Sequence, residues 1–254
     1  MKISLIQTSL TWEDPQANRF NFGKLINRIE ATDLIVLPEM FATGFTMNPK
    51  VIAETMDGET VAWMKEIATE KNCAITGSLV INEGGNYYNR LLFVYPDGNI
   101  KTYNKRHLFS LAGEDKAYTA GSDKLIVNYK GWKICPLVCY DLRFPVFARN
   151  VEEYDLLLYV ANWPSPRIFA WDTLLKARAI ENMCYVAGVN RIGEDAKGHP
   201  YPGHSQVLDC LGATVMEAST SEGVFTVALD REKMLETREK FGFLNDRDRF
   251  TLQG

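Results

Sequence analysis

The stretch WKICPLVCYDLRFP, residues 132–145, decides how the chain is read. Its first seven residues form an apolar run of strand length that ends at Cys139. The chain then turns through Asp141, Arg143 and Pro145. A buried strand that hands a reactive side chain to a turn is a recurring unit here. Asp33-Leu34-Ile35-Val36-Leu37-Pro38 is a second such strand, and Glu39 follows it. A third end is Tyr103-Asn104-Lys105-Arg106-His107, after a strand predicted at 99–103.

Helical spacing separates the strands. Asp14-Pro15 reads as an N-cap followed by proline at the first helical position. Phe22, Leu25, Ile26 and Ile29 then follow at i, i+3, i+4, i+7. Residues 59–71 read as another helix, with Val61, Met64 and Ala68 on one face. Strands at 73–81 and 89–95 flank the turn Glu83-Gly84-Gly85-Asn86, and Pro96-Asp97-Gly98 joins 89–95 to 99–103. In the second half, 156–160 is a strand running into Asn162-Trp163, and Ser165-Pro166 is expected to cap a helix over 167–182. Strands follow at 184–190, 205–209, 213–217 and 224–229, the last three expected to be antiparallel neighbours. Helices on strands in both halves argue for a layered α/β fold. With no linker or repeat, one domain over 1–254 is expected, its charged tail from about 231 packing on the body or on a partner subunit.

Composition excludes several classes. The 254 residues are 46% hydrophobic and 24% charged, enough for a large core without disulfides or metals. A net charge of −4 and scattered basic residues argue against a nucleic-acid partner. No apolar run reaches the roughly 20 residues that cross a bilayer, and Met1 to Ile6 reads as a strand rather than a signal peptide. Five irregularly spaced cysteines, Cys73, Cys135, Cys139, Cys184 and Cys210, fit a reducing, cytoplasmic setting.

Each reactive strand end has a plain structural alternative. Glu39, just past a buried strand, would be partly desolvated and raised toward the range of a general base; it would equally serve as a solvated loop residue or in an ion pair. Lys105 would offer a fixed positive charge to an oxyanion, or be surface charge. Cys139 enters its turn as a nucleophile elbow does, yet buried cysteines often only fill space. Arg143 would bind a carboxylate bidentately, or pair with Asp141. Phe45, Trp163 and Tyr140 would wall a pocket or belong to the core. Cys135, Cys139 and His107 make a poor zinc signature.

Taken together and in order, LPEM with Glu39, YNKRHLF with Lys105 and LVCYDLRFP with Cys139 resemble the nitrilase superfamily of carbon–nitrogen hydrolases. The likeness extends to YVANWP at 159–164 and KARAIEN at 176–182. CYDLRFP and VANWP look like the omega-amidase branch, especially its bacterial members. The resemblance implies a four-layer αββα sandwich, a homodimer joined near the nucleophile, and no metal or organic cofactor. It implies Glu39 as general base, Cys139 as nucleophile, Lys105 and the Tyr140 N–H as oxyanion donors, and Glu114 as a second glutamate that positions the substrate. Arg143 matches an arginine that holds the substrate carboxylate. The implied reaction is release of ammonia from the terminal amide of 2-oxoglutaramate or 2-oxosuccinamate. A nitrilase, an N-carbamoyl amidase or another amidase of the superfamily would carry the same triad.

Overall fold

Every strand marked by an apolar run is present in the computed structural model, which describes residues 1–252. The last two positions of the expected 1–254 domain lie outside the described residues. The strands are β1 (Lys2–Gln7), β2 (Leu34–Val36), β3 (Ala74–Glu83), β4 (Asn86–Val94), β5 (Ile100–Asn104), β6 (Val127–Tyr129), β7 (Trp132–Val138), β8 (Leu156–Ala161), β9 (Tyr185–Asn190), β10 (Ile192–Glu194), β11 (Pro200–Pro202), β12 (Ser205–Leu208), β13 (Thr214–Ser219) and β14 (Gly223–Ala228). The helices are α1 (Pro15–Ile26), α2 (Pro49–Ile52), α3 (Glu59–Glu70), α4 (Glu114–Ala117), α5 (Pro145–Ala148), α6 (Ile168–Asn182) and α7 (Arg231–Phe241).

Two six-stranded sheets result. One runs β14-β1-β2-β3-β4-β5 and the other β13-β12-β9-β8-β7-β6, while β10 and β11 form a separate ribbon. The centre of each sheet is parallel: β1, β2 and β3 in the first, β7, β8 and β9 in the second. Successive residues of the first sheet face opposite sides, as the two-residue period requires. Leu5, Leu34 and Val36 point to a core shared with Ile134, Leu158 and Ala187 of the second sheet. Ile6, Ile35 and Ile75 point the other way, onto Phe22 and Ile26 of α1 and Val61 and Met64 of α3. Both faces are covered, so these strands read as unbroken apolar runs. Trp171 and Leu175 of α6 cover the far side of the second sheet. The layers are therefore helix, sheet, sheet, helix: the four-layer αββα sandwich.

Local chemistry explains the joints. Asp14 caps α1 by accepting the Ala17 N–H at 2.9 Å. Gly84 and Gly85 both take positive φ (60° and 84°), as a two-residue hairpin turn requires, so β3 and β4 form one long hairpin. Three expectations are corrected. β14 does not join β12 and β13; the chain crosses over, and β14 pairs antiparallel with β1 of the other sheet. Ser165 does not cap α6. A 3-10 turn over Ser165–Arg167 comes first, held in part by the Trp163 indole donating to the Arg167 carbonyl at 2.7 Å. Ile29 is buried but lies beyond the end of α1. The tail packs on the body through α7, where Met234 is buried and Arg231 and Arg238 reach the buried Asp155 at 2.9 and 3.2 Å. Phe241 and Phe243 stack on each other instead.

The fit of α6 on β9 is tight. A Cβ on Gly188 would lie 2.6 Å from Leu175 Cδ1 and 2.7 Å from the ring of the buried Trp171. Gly188→Ala is therefore expected to cost about 1–3 kcal/mol by overpacking. A lowered urea midpoint with an unchanged m-value checks this.

Candidate active site

The strand ends converge at one edge of the sandwich. Glu39 follows β2, Lys105 follows β5, Cys139 follows β7 and Asn162 follows β8. Two of these turns are backbone-strained. Met40, next to Glu39, has φ 43°, and Cys139 itself has φ 45°. A non-glycine residue in the left-handed region costs about 1–3 kcal/mol and persists only where its surroundings over-determine it.

Lys105 is the hub. Its Nζ donates to Glu39 Oε1 at 2.8 Å and to Glu114 Oε1 and Oε2 at 3.0 and 2.9 Å. All three side chains are fully buried. Three acceptor oxygens match the three N–H donors of an ammonium. The carboxylates are themselves held. Asn89 Nδ2 donates to Glu39 at 2.8 Å and to Glu114 at 3.1 Å, and the Phe109 N–H donates to Glu114 at 2.6 Å. From the other sheet, the Asn162 N–H reaches Glu39 Oε2 at 2.9 Å, and Asn162 Nδ2 reaches the Glu39 carbonyl at 2.7 Å. The Asn162 carbonyl in turn lies 3.9 Å from Cys139 Sγ as acceptor of the thiol.

The electrostatics follow from burial. Burial disfavours the charged form of Lys105, but Glu114 and Glu39 more than reverse this, and the ammonium stays charged. Burial pushes the Glu114 carboxyl above the usual range; Lys105 opposes this and Glu39 adds to it. Burial, with the Glu39 carboxylate adding to it, also pushes the Cys139 thiol up, against the pull of Lys105. Cys139 thus rests as a neutral thiol beside Glu39, and an attack by its sulfur would need that proton removed.

A cavity of about 530 Å³ opens onto this cluster. Lys105, Cys139 and Asn162 reach it; Glu39 and Glu114 lie behind them. Phe45, Tyr140 and Trp163 line its walls, with Arg143 among them. Arg143 is exposed, its guanidinium 5.0 Å from the Trp163 ring centre. The alternative partner Asp141 is turned inward and occupied by Tyr103 and His107. Tyr140 is the second residue of a short 3-10 turn over Cys139–Arg143, where leading N–H groups lack intrahelical partners. Asn89 and Asn162 join the site without being candidates by residue type. Asn162 sits in the YVANWP segment, which was a usable signal; Asn89 lies inside a strand and carried none.

A family model described as carbon-nitrogen hydrolase matches residues 2–239. The chain belongs to the carbon–nitrogen hydrolase family. It is 47% identical to the omega-amidase YafV of Yersinia enterocolitica, over 99% of this chain and 98% of that protein. It is 32% identical to the 2-oxoglutaramate amidase of Bacillus subtilis, over 96% of each. Among solved structures it is similar to XC1258 of Xanthomonas campestris, described as a CN-hydrolase superfamily protein with an arsenic adduct in its active site. That match has 46% identity and a TM-score of 0.97, covering 100% of this chain and 99% of the other.

The five cysteines should separate by reactivity. Cys139 borders the cavity, while Cys73, Cys135 and Cys184 are wholly enclosed, Cys73 with its thiol pushed up to about 11 by burial. Iodoacetamide at neutral pH is expected to label one thiol stoichiometrically, Cys139 by peptide mapping. Glu39→Gln should slow that labelling, because the neutral amide cannot take the proton.

Proposed function

We propose that the protein is an omega-amidase that hydrolyses the terminal amide of a 2-oxo dicarboxylic acid, 2-oxoglutaramate or 2-oxosuccinamate, to the 2-oxo acid and ammonia. Cys139 attacks the amide carbon while Glu39 takes the thiol proton. The oxyanion forms between Lys105 and the Tyr140 N–H. Because the donors of Lys105 are already committed to carboxylates, its contribution is chiefly fixed charge. Glu39 returns its proton to the amine as ammonia leaves, and a Cys139 thioester remains. Glu39 then draws a proton from water, whose hydroxide attacks the thioester carbonyl; the C–S bond breaks, the acid leaves, and Glu39 returns the proton to the Cys139 sulfur. Glu114 holds Lys105 in place and helps position the substrate. Phe45 and Trp163 flank the bound chain.

One observation carries the substrate class. Arg143 has no carboxylate partner among the described residues, stands at the cavity beside Cys139, and lies over Trp163. Arg167 and Lys197 also line the cavity without an ion pair among the described residues, whereas Asp195 is taken up by His199 and Tyr201. A cavity with unpaired cations at its mouth suits an amide that carries a carboxylate. The names of the relatives at 47% and 32% identity support the same reading.

The test is an ammonia-release panel comparing omega-amides of 2-oxo acids with a neutral amide, a nitrile and a carbamoyl amino acid. The two 2-oxo acid amides are expected to turn over best, and Cys139→Ala to abolish turnover. Arg143→Ala should lower kcat/KM on carboxylated amides by about 10- to 100-fold, the loss of one charge-assisted contact, with little change on the neutral amide. An equal loss on both would remove the carboxylate clamp. Preference for the nitrile or carbamoyl substrate would move the protein elsewhere in its family.

The reading includes a homodimer in the cytoplasm. α6 packs against the Cys139 turn and exposes Phe169 (82%) and Ile180 (49%), three helical turns apart on one face. Sedimentation is expected to give twice the chain mass, and Phe169→Arg with Ile180→Arg to give the monomer. The five free cysteines suit a reducing compartment.

A further inference from the structure

Behind the reactive cluster lies a second polar centre that the proposed reaction does not use. Asp141 is fully buried, and its carboxylate accepts four hydrogen bonds. One comes from its own segment, the Val138 N–H at 2.9 Å. The other three cross from the end of β5: the Tyr103 hydroxyl at 2.7 Å, the His107 N–H at 3.1 Å and His107 Nδ1 at 2.7 Å. Tyr103 and His107 stand two residues either side of Lys105, and Val138 and Asp141 bracket Cys139. Burial and the Asp141 charge push the Tyr103 phenol up, so it remains a donor. The His107 ring lies flat on Phe144, centroids 3.7 Å apart, which fixes the direction of its Nδ1.

We infer that Asp141 is a positioning residue, whose carboxylate locks the Lys105 segment of one sheet to the Cys139 turn of the other and so fixes the ammonium relative to the thiol. The inference rests on the roles proposed for Lys105 and Cys139. The same bonds hold the left-handed Cys139. The Val138 N–H bond to Asp141 closes the turn from the strand side, and the Phe144 N–H closes it from the far side by donating to the Asp141 carbonyl at 3.0 Å. Each oxygen of the carboxylate accepts two of its four bonds, so replacing the carboxylate by an amide turns an NH2 donor toward two donors and loosens the link between the segments.

The experiment compares wild type, Asp141→Asn, Tyr103→Phe and the double variant. It measures kcat per alkylatable Cys139, KM and the thermal midpoint. Misplacement on the scale of 1 Å costs about 10²-fold. Asp141→Asn is therefore expected to lose 10- to 100-fold in kcat per titrated thiol, with KM within about threefold. Tyr103→Phe removes a single hydroxyl; it should lose a few-fold in kcat and add nothing in the Asp141→Asn background. Wild-type kcat per titrated thiol in either variant, whatever the thermal midpoint, overturns the inference and leaves Asp141 a stabilising residue only. If Asp141→Asn does not fold, Tyr103→Phe decides alone. Should the wild-type protein release no ammonia from any amide, the functional reading fails separately. The iodoacetamide rate at Cys139, expected about tenfold slower in Asp141→Asn, then tests the lock, and an unchanged rate overturns it.

Discussion

The structure depends on one buried ammonium. The Lys105 side chain is fully buried, and an unpaired charge there would cost several kcal/mol even after relaxation. It is tolerated because three carboxylate oxygens meet its three donors. That solution creates a further demand, since two carboxylates face one cation. Burial answers part of it by raising Glu114, and Asn89, Asn162 and the Phe109 N–H supply the remaining donors. Asn162 belongs to the other sheet. Satisfying the ammonium therefore requires the strand ends of both sheets to meet at one edge, and the sandwich is arranged so that they do.

The same cluster sets the style of chemistry. A cysteine paired with histidine can rest as a thiolate beside an imidazolium. Here burial and Glu39 both oppose the thiolate, and only Lys105 favours it. In the reaction proposed above, ionisation and attack are therefore coupled, with the proton passing to Glu39 as the S–C bond forms. Lys105 keeps its place while this happens, because its contacts with Glu114 are untouched by the transfer. In the proposed reaction Glu39 changes protonation, whereas Glu114 acts as the fixed counter-charge that stops the ammonium from following it.

Much of this was legible in the sequence. Strands buried on both faces are short unbroken apolar runs, and those runs placed Glu39 and Cys139 just past strand ends. Asp14-Pro15 and Gly84-Gly85 announced their turns because φ and capping preferences are local. What was not legible is set by distance across the fold. The residues of β14 read as a strand, but nothing in them says that β1 in the other sheet is the partner. Asn89 and Asn162 are ordinary amides until the sheets bring them to Glu39. Arg143 and Asp141 are two residues apart, and sequence left their ion pair open; the structure commits Asp141 to Tyr103 and His107 across the interface and leaves Arg143 at the cavity.

Charge also orients whatever enters. The floor of the cavity presents Lys105, but two carboxylates stand directly behind it, so an anion pushed to the floor would gain little from the ammonium and meet repulsion from Glu39. The mouth presents Arg143, Arg167 and Lys197 without carboxylate partners among the described residues. A molecule with one anionic end and one neutral amide end is therefore driven to bind amide-inward. In the proposed reaction the amide carbonyl arrives near Cys139 uncharged, and becomes an oxyanion only once Glu39 has been neutralised by the thiol proton, where Lys105 and the turn N–H can meet it. The negative cluster that makes Lys105 stable thus also excludes the wrong end of the substrate from the thiol. This ties the specificity of the site to the same ion cluster as its chemistry.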